Sequence, residues 1–242
     1  MKGATIILAV VLLFGAATLF AQDTPPDPAR LSIETARQQL QEISVSKFED
    51  AGFWRVSMPM DAGVITHRRL EGAPAEKEAI EQEEQLEQFG QVLGDVLEED
   101  RYVLGVRADF FRRGPTHISI EPSRPLAIPG IAKTLSMWVV GRNFQHELKV
   151  VIQDQFGTRN VLSMGTLNFS GWRLLTVAIP PGIRQRDPHY INRTGISILG
   201  FIIEPYLPET YGSYYVYFDD LRAYTDLFSE ANRDPDDMVD NW

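Results

Sequence analysis

The residues best equipped for chemistry in this chain are scattered, and no familiar catalytic grouping collects them. Four histidines, His67, His117, His146 and His189, each lie beside a turn or strand end and are far apart in sequence. There is no cysteine, no Gly-x-Ser-x-Gly turn and no His-Glu-x-x-His pair, so the local signatures of an activated nucleophile or a zinc hydrolase are missing. No glycine-rich phosphate loop or dinucleotide fingerprint occurs either. Glu121, Asp154 and Glu204 could in principle form a glycosidase pair, but each abuts a proline or a turn and nothing places two of them across a cleft. Catalysis is not expected.

Carboxylates at the two ends of the folded region suggest a different chemistry. Glu49 and Asp50 follow Phe48 near the first strand, and Asp219 and Asp220 fall in Tyr217-Phe-Asp-Asp-Leu221 near the last. The two ends of a sandwich chain often lie side by side, and carboxylates with backbone carbonyls would suit a hard cation such as calcium. The same residues would serve equally as strand-end carboxylates bonded to turn amides. A structural calcium is therefore one expectation, and no other cofactor is called for.

The elements that must position these groups are strands. Leu148, Val150 and Ile152 alternate before an Asp154-Gln-Phe-Gly157 turn, and Leu175, Val177 and Ile179 alternate after Ser170-Gly-Trp172. Segments rich in β-branched and aromatic residues recur at Tyr102 to Phe110, Thr116 to Glu121, Thr134 to Val140, Leu148 to Asp154, Val161 to Met164, Arg173 to Ile179, Ile196 to Ile203 and Tyr214 to Leu221. With an early strand near Phe53 this predicts roughly nine strands, the profile of an all-β, jelly-roll-like two-sheet sandwich. Aromatics crowd the last strand region, at Tyr206, Tyr211, Tyr214, Tyr215, Tyr217, Phe218 and Tyr224. About half should fill the core, and the exposed remainder could stack a sugar or contact a protein.

Residues 1–21 have the layout of a secretory signal, with Lys2 ahead of an apolar run from Ala4 to Phe20. Residues 22–44 read as a proline-rich linker with a short helix over Leu31 to Glu42, and 45–225 as the sandwich. Within it, residues 71–100 form an acidic excursion, helical or mobile, with Ile80, Leu86 and Phe89 as apolar anchors. The acidic tail, 226–242, ends in Trp242 and is either disordered or caps an edge. Export without cysteine suits a bacterial periplasm, and a net charge of −10 argues against nucleic acid or an anionic membrane as partner. Arginine outnumbers lysine near the turns. Arg112, Arg113, Arg184 and Arg186 are interface candidates, since a guanidinium fork pairs with carboxylates and stacks on rings, although a compositional bias of the genome would look the same.

Taken together, Phe48-Glu-Asp50, Gly141 to Gln145 before the strand at Leu148, Asp154-Gln-Phe-Gly157, Leu167-Asn-Phe-Ser-Gly-Trp-Arg173 and Tyr217-Phe-Asp-Asp-Leu221 resemble the flagellar filament outer-layer (sheath) proteins of spirochaetes. The resemblance covers about Phe48 to Thr225. It implies an exported, non-enzymatic subunit that coats a core of flagellins in the periplasm and contributes to filament shape, stiffness and motility. Its partners would be core flagellins, other sheath subunits and further copies of itself in a helical layer, with no membrane attachment once the signal is removed. The Gly-Trp-Arg and Phe-Asp-Asp-Leu elements also look like carbohydrate-binding sandwich modules of the galactose-binding type, which makes an exported sugar-binding module the alternative.

Overall fold

The β-rich pattern from Tyr102 onward becomes a jelly roll because inward residues of successive strands must bury themselves against an opposite sheet. The computed structural model describes residues 40–74, 101–186 and 195–227, all within the larger of the chain's two compact units, residues 37–242. The predicted signal, residues 1–21, the segment 75–100 and the tail from 228 lie outside the described residues.

Twelve strands are present among the described residues: β1 (Leu40–Ser46), β2 (Trp54–Ser57), β3 (Gly63–Glu71), β4 (Tyr102–Phe110), β5 (Ile118–Pro122), β6 (Leu126–Ile128), β7 (Ile131–Val140), β8 (Glu147–Gln153), β9 (Arg159–Thr166), β10 (Trp172–Ala178), β11 (Ile196–Glu204) and β12 (Gly212–Asp226). One sheet runs β10-β7-β12-β4-β3 with β1 added beside β12; the other runs β2-β5-β11-β8-β9 with β6 added beside β11. Every pairing is antiparallel. The eight strands β4, β5 and β7 to β12 alternate between the sheets, except at the β8–β9 hairpin, in the wrapped order of a jelly roll.

The expected alternation is what fills the core. Leu148, Val150 and Ile152 on β8 are fully buried, as are Leu135, Met137 and Val139 on β7. The Asp154 turn forms as read: its Oδ1 accepts from the N–H of Phe156 at 2.9 Å and of Thr158 at 2.7 Å, while Gly157 supplies the left-handed residue at φ 83°.

Three strands depart from the expectation. Leu40 to Glu42, assigned above to a short helix in a linker, begin β1 instead. β4 covers β12 only from Gly212 to Phe218, so the edge of β12 from Leu221 to Asp226 is open, and β1 occupies it. A ladder of backbone hydrogen bonds outweighs a helix with a thin apolar face. β3 was not expected because its inward residues are Ile65, His67 and Arg69, which give no hydrophobic alternation. β3 also takes Glu71, the first residue of the acidic excursion, into the sheet. β6 is three residues long, too short for any periodicity. Among the described residues no helix is long and apolar enough to cross a membrane.

Candidate functional site

The two carboxylate-bearing ends do come together. Ser46 is opposite Leu221 across the β1–β12 pairing, and the Phe48 ring stacks on Trp54 at 4.6 Å and on Phe218 at 6.2 Å. The carboxylates themselves go to separate tasks. Glu49 Oε1 accepts from the N–H of Arg101 at 2.8 Å and of Tyr102 at 2.9 Å. Asp50 Oδ1 accepts from Gly52 N–H at 2.8 Å and so caps the 3-10 turn Ala51–Phe53. Asp219 and Asp220 are buried in the bulge of β12, where Asp220 has φ 46° and its Oδ2 accepts from Arg222 Nε at 2.5 Å. Among the described residues no three His, Asp or Glu side chains gather as metal ligands. The geometry of Glu49 and Asp50 is the turn-amide arrangement that stood beside calcium as the other reading.

The proposed acid–base residues are also occupied. Glu121 pairs with Arg55, and Glu204 holds Lys149 Nζ at 2.7 Å, which raises the lysine pKa through that hydrogen bond. Of the described histidines, His117 is exposed and His67 Nε2 lies 3.2 Å from Ala51 O. His189 lies outside the described residues.

His146 behaves unlike the others. It is fully buried between Phe144 and Tyr214, with ring centroids 5.1 and 4.5 Å away. Its Nδ1 accepts from Tyr206 N–H at 3.1 Å, which fixes the neutral ring, and burial pushes its pKa down to about 4. Glu209 Oε2 is 3.5 Å from Nδ1 but is used by Gln145 N–H at 2.7 Å. Tyr214 is buried by the same packing, which raises its phenol pKa.

The four interface arginines are exposed but divide into two groups. Arg112 pairs with Asp61, and Arg113 lies over the Tyr211 ring at 4.8 Å. Their loop is tied by Gly114 N–H to Thr210, in the turn that also caps His146 at the start of β8. Arg184 sits over Phe156 at 5.3 Å, and its carbonyl accepts from Gln155 N–H, just past the end of β8. Arg186 is exposed nearby in sequence. The seven residues of β8 separate Arg112 and Arg113 from Arg184 by roughly 20 Å, so the four arginines do not form one patch.

A more developed surface lies on the outer face of the β10-β7-β12-β4-β3 sheet and was not visible in the sequence. Pairing places Arg68, Gly105, Tyr217, Val140 and Trp172 in one row across five strands. A trough runs along that row, with adjoining hollows of about 270 and 590 Å³ that share Leu70 and Tyr217. Gly105 permits this: a Cβ there would come within 2.6 Å of Leu70 Cδ1 and 3.1 Å of Tyr217 Cε1. Arg107 lies over the Tyr215 ring at 5.4 Å, and Arg142 over the Tyr217 ring at 5.3 Å while donating to the Tyr217 hydroxyl at 3.2 Å.

A cysteine-free jelly roll in which Glu49, Asp50, Glu121, Asp154 and Glu204 all bond within their own chain, and whose exposed guanidinium groups lie over aromatic rings, is suited to binding or assembly. The family model for flagellar filament outer layer protein FlaA matches residues 15–232. The chain belongs to that family. It is 37% identical over 198 residues to a flagellar filament outer layer-like protein of Brachyspira hyodysenteriae (strain ATCC 49526 / WA1), covering 82% of this chain and 85% of that one. It is 29% identical over 117 residues to the flagellar filament outer layer protein of Spirochaeta aurantia, covering 45% of this chain and 35% of that one. Among solved structures, TmCBM61 in complex with β-1,4-galactotriose aligns over 76% of this chain and 99% of its own, with TM-score 0.41 and 12% identity.

Proposed function

We propose that this protein is a non-enzymatic structural subunit of the outer layer of the periplasmic flagellar filament, coating the flagellin core and contributing to filament shape, stiffness and motility. The observation that carries the reading is the family match over nearly the whole chain, joined to a sandwich in which the candidate carboxylates Glu49, Asp50, Glu121 and Glu204 bond within their own chain. Such a subunit touches core flagellins, other sheath subunits and copies of itself. Head-to-tail contacts that do not close a ring generate a helical layer from several modest patches. Arg112 and Arg113 at one end of β8, and Arg184 and Arg186 at the other, are suited to two such patches. The test is sedimentation of the purified protein with isolated filaments. Wild type should pellet, and Arg112→Glu/Arg113→Glu should pellet less with an unchanged melting curve. Undiminished pelleting removes these arginines from the interface, and a wild-type protein that stays in the supernatant removes the coat role.

The sugar-binding alternative has less physical support. The ring faces of Tyr215 and Tyr217, on which a sugar would stack, already carry the guanidinium groups of Arg107 and Arg142.

A further inference from the structure

Charge is distributed very unevenly along this chain. Residues 76–100 contain ten Asp or Glu and one Lys, and so hold nine of the ten net negative charges of the protein. The described residues have the opposite balance, with 17 Lys and Arg against 14 Asp and Glu. An acidic segment with apolar anchors at Ile80, Leu86 and Phe89 is thus carried by a mildly basic body.

The outer-sheet trough matches that segment in both respects. Its basic groups are Arg68, Arg107 and Arg142, all exposed, against the single carboxylate Glu71 on its rim. Arg107 is partly committed, donating from Nε at 3.1 Å and Nη2 at 3.0 Å to Asp109 Oδ1. Arg142 contacts only a neutral phenol in this face, and Arg68 has no ion-pair partner among the described residues. Between the cations lie Leu70 and the half-buried Trp172, which offer apolar area to an aliphatic or aromatic side chain.

We infer that the trough over Arg68, Gly105 and Tyr217 receives the acidic segment 76–100 of a second copy of this chain. The inference rests on the coat reading, because a layer built from one subunit needs a donor surface and a different acceptor surface on each copy. The segment is the donor and the trough the acceptor. Each of several carboxylates meets an exposed guanidinium, which fixes register and makes the contact salt-sensitive, and the apolar anchors supply the buried centre.

The experiment uses three full-length proteins in sedimentation velocity over a concentration series. Wild type should self-associate at about 0.05 M salt and weaken at least about tenfold at about 0.5 M. Arg68→Glu/Arg142→Glu removes the acceptor, and Glu81→Gln/Glu83→Gln/Glu84→Gln/Glu87→Gln removes the donor. Each variant alone should be monomeric with a wild-type melting curve, and their equimolar mixture should give a heterodimer that grows no further. A mixture that stays monomeric, variants that associate like wild type, or a wild type monomeric at low salt overturns the inference. If the acceptor variant unfolds, Arg68→Gln/Arg142→Gln replaces it with the same expectation. Retained pelleting with flagellar filaments alongside a failed mixture leaves the coat reading intact, whereas a heterodimer from a protein that ignores filaments defeats the coat reading instead.

Discussion

Glu71, the last residue of β3, is paired directly with Tyr102, the first residue of β4, and Gly72 N–H donates to Arg101 O at 3.1 Å just beyond them. The chain therefore leaves and re-enters the sheet at one point, as a hairpin does. Everything from 75 to 100 is inserted between two strands already in register. Replacing 75–100 with a short glycine-containing turn should leave the free energy of urea unfolding within about 1 kcal/mol of wild type, since the cost of closing a connection grows only slowly with its length. Global unfolding of the shortened protein would show that the sandwich depends on the insertion.

The Phe48 ring, buried among Trp54, Phe201 and Phe218, joins the residues after β1 to the last strand. Phe48→Ala should lower stability by about 3–5 kcal/mol in urea unfolding. A loss below about 1 kcal/mol would mean that this aromatic cluster does not hold the two ends together.

His146 gives the fold a pH dependence whose sign follows from its burial. Its folded pKa, about 4, lies below the unfolded value of about 6.5, so the unfolded chain binds the proton more readily. Its contribution to stability is complete above pH 6.5 and is lost as pH falls toward 4, by up to about 3 kcal/mol. His146→Asn, which keeps an acceptor for Tyr206 N–H, should be less stable at neutral pH but flatter across that window. An unchanged slope would assign the dependence to other groups.

Calcium is expected to have no effect on thermal stability, because Glu49 and Asp50 already satisfy backbone amides and Asp220 holds Arg222. Melting curves in chelator and in millimolar calcium should superimpose. A rise in Tm with calcium would show that the carboxylates at the two chain ends rearrange into a donor set.

Much of this architecture could be read from residue order, and the exceptions have physical causes. The strands from Tyr102 onward announce themselves because their inward residues are β-branched or aromatic, as at Leu148, Val150 and Ile152. β3 is silent because its inward positions include His67 and Arg69, with Arg69 lying 4.1 Å from the Tyr102 ring centroid. β1 is silent because the open edge of β12 that stabilises it exists only in the folded sheet. The proximity of Phe48-Glu-Asp50 to the last strand was legible, but the destination of each carboxylate depended on turn amides that no motif encodes. The outer-sheet trough is the least legible feature. Its row draws one residue from each of five strands between Arg68 and Tyr217 in the chain, and only register aligns them. The burial of His146 does not follow from its position beside a turn, although its place between Phe144 and Leu148 was a signal that an aromatic pocket could enclose it.

The central claim, that this chain is a coat subunit of the flagellar filament, is tested most directly by imaging filaments from cells that make the protein and from cells that lack it. The account predicts an outer layer that thins or disappears in its absence over an unchanged flagellin core, and returns when the protein is supplied. Filaments of identical diameter and surface in both preparations would contradict it.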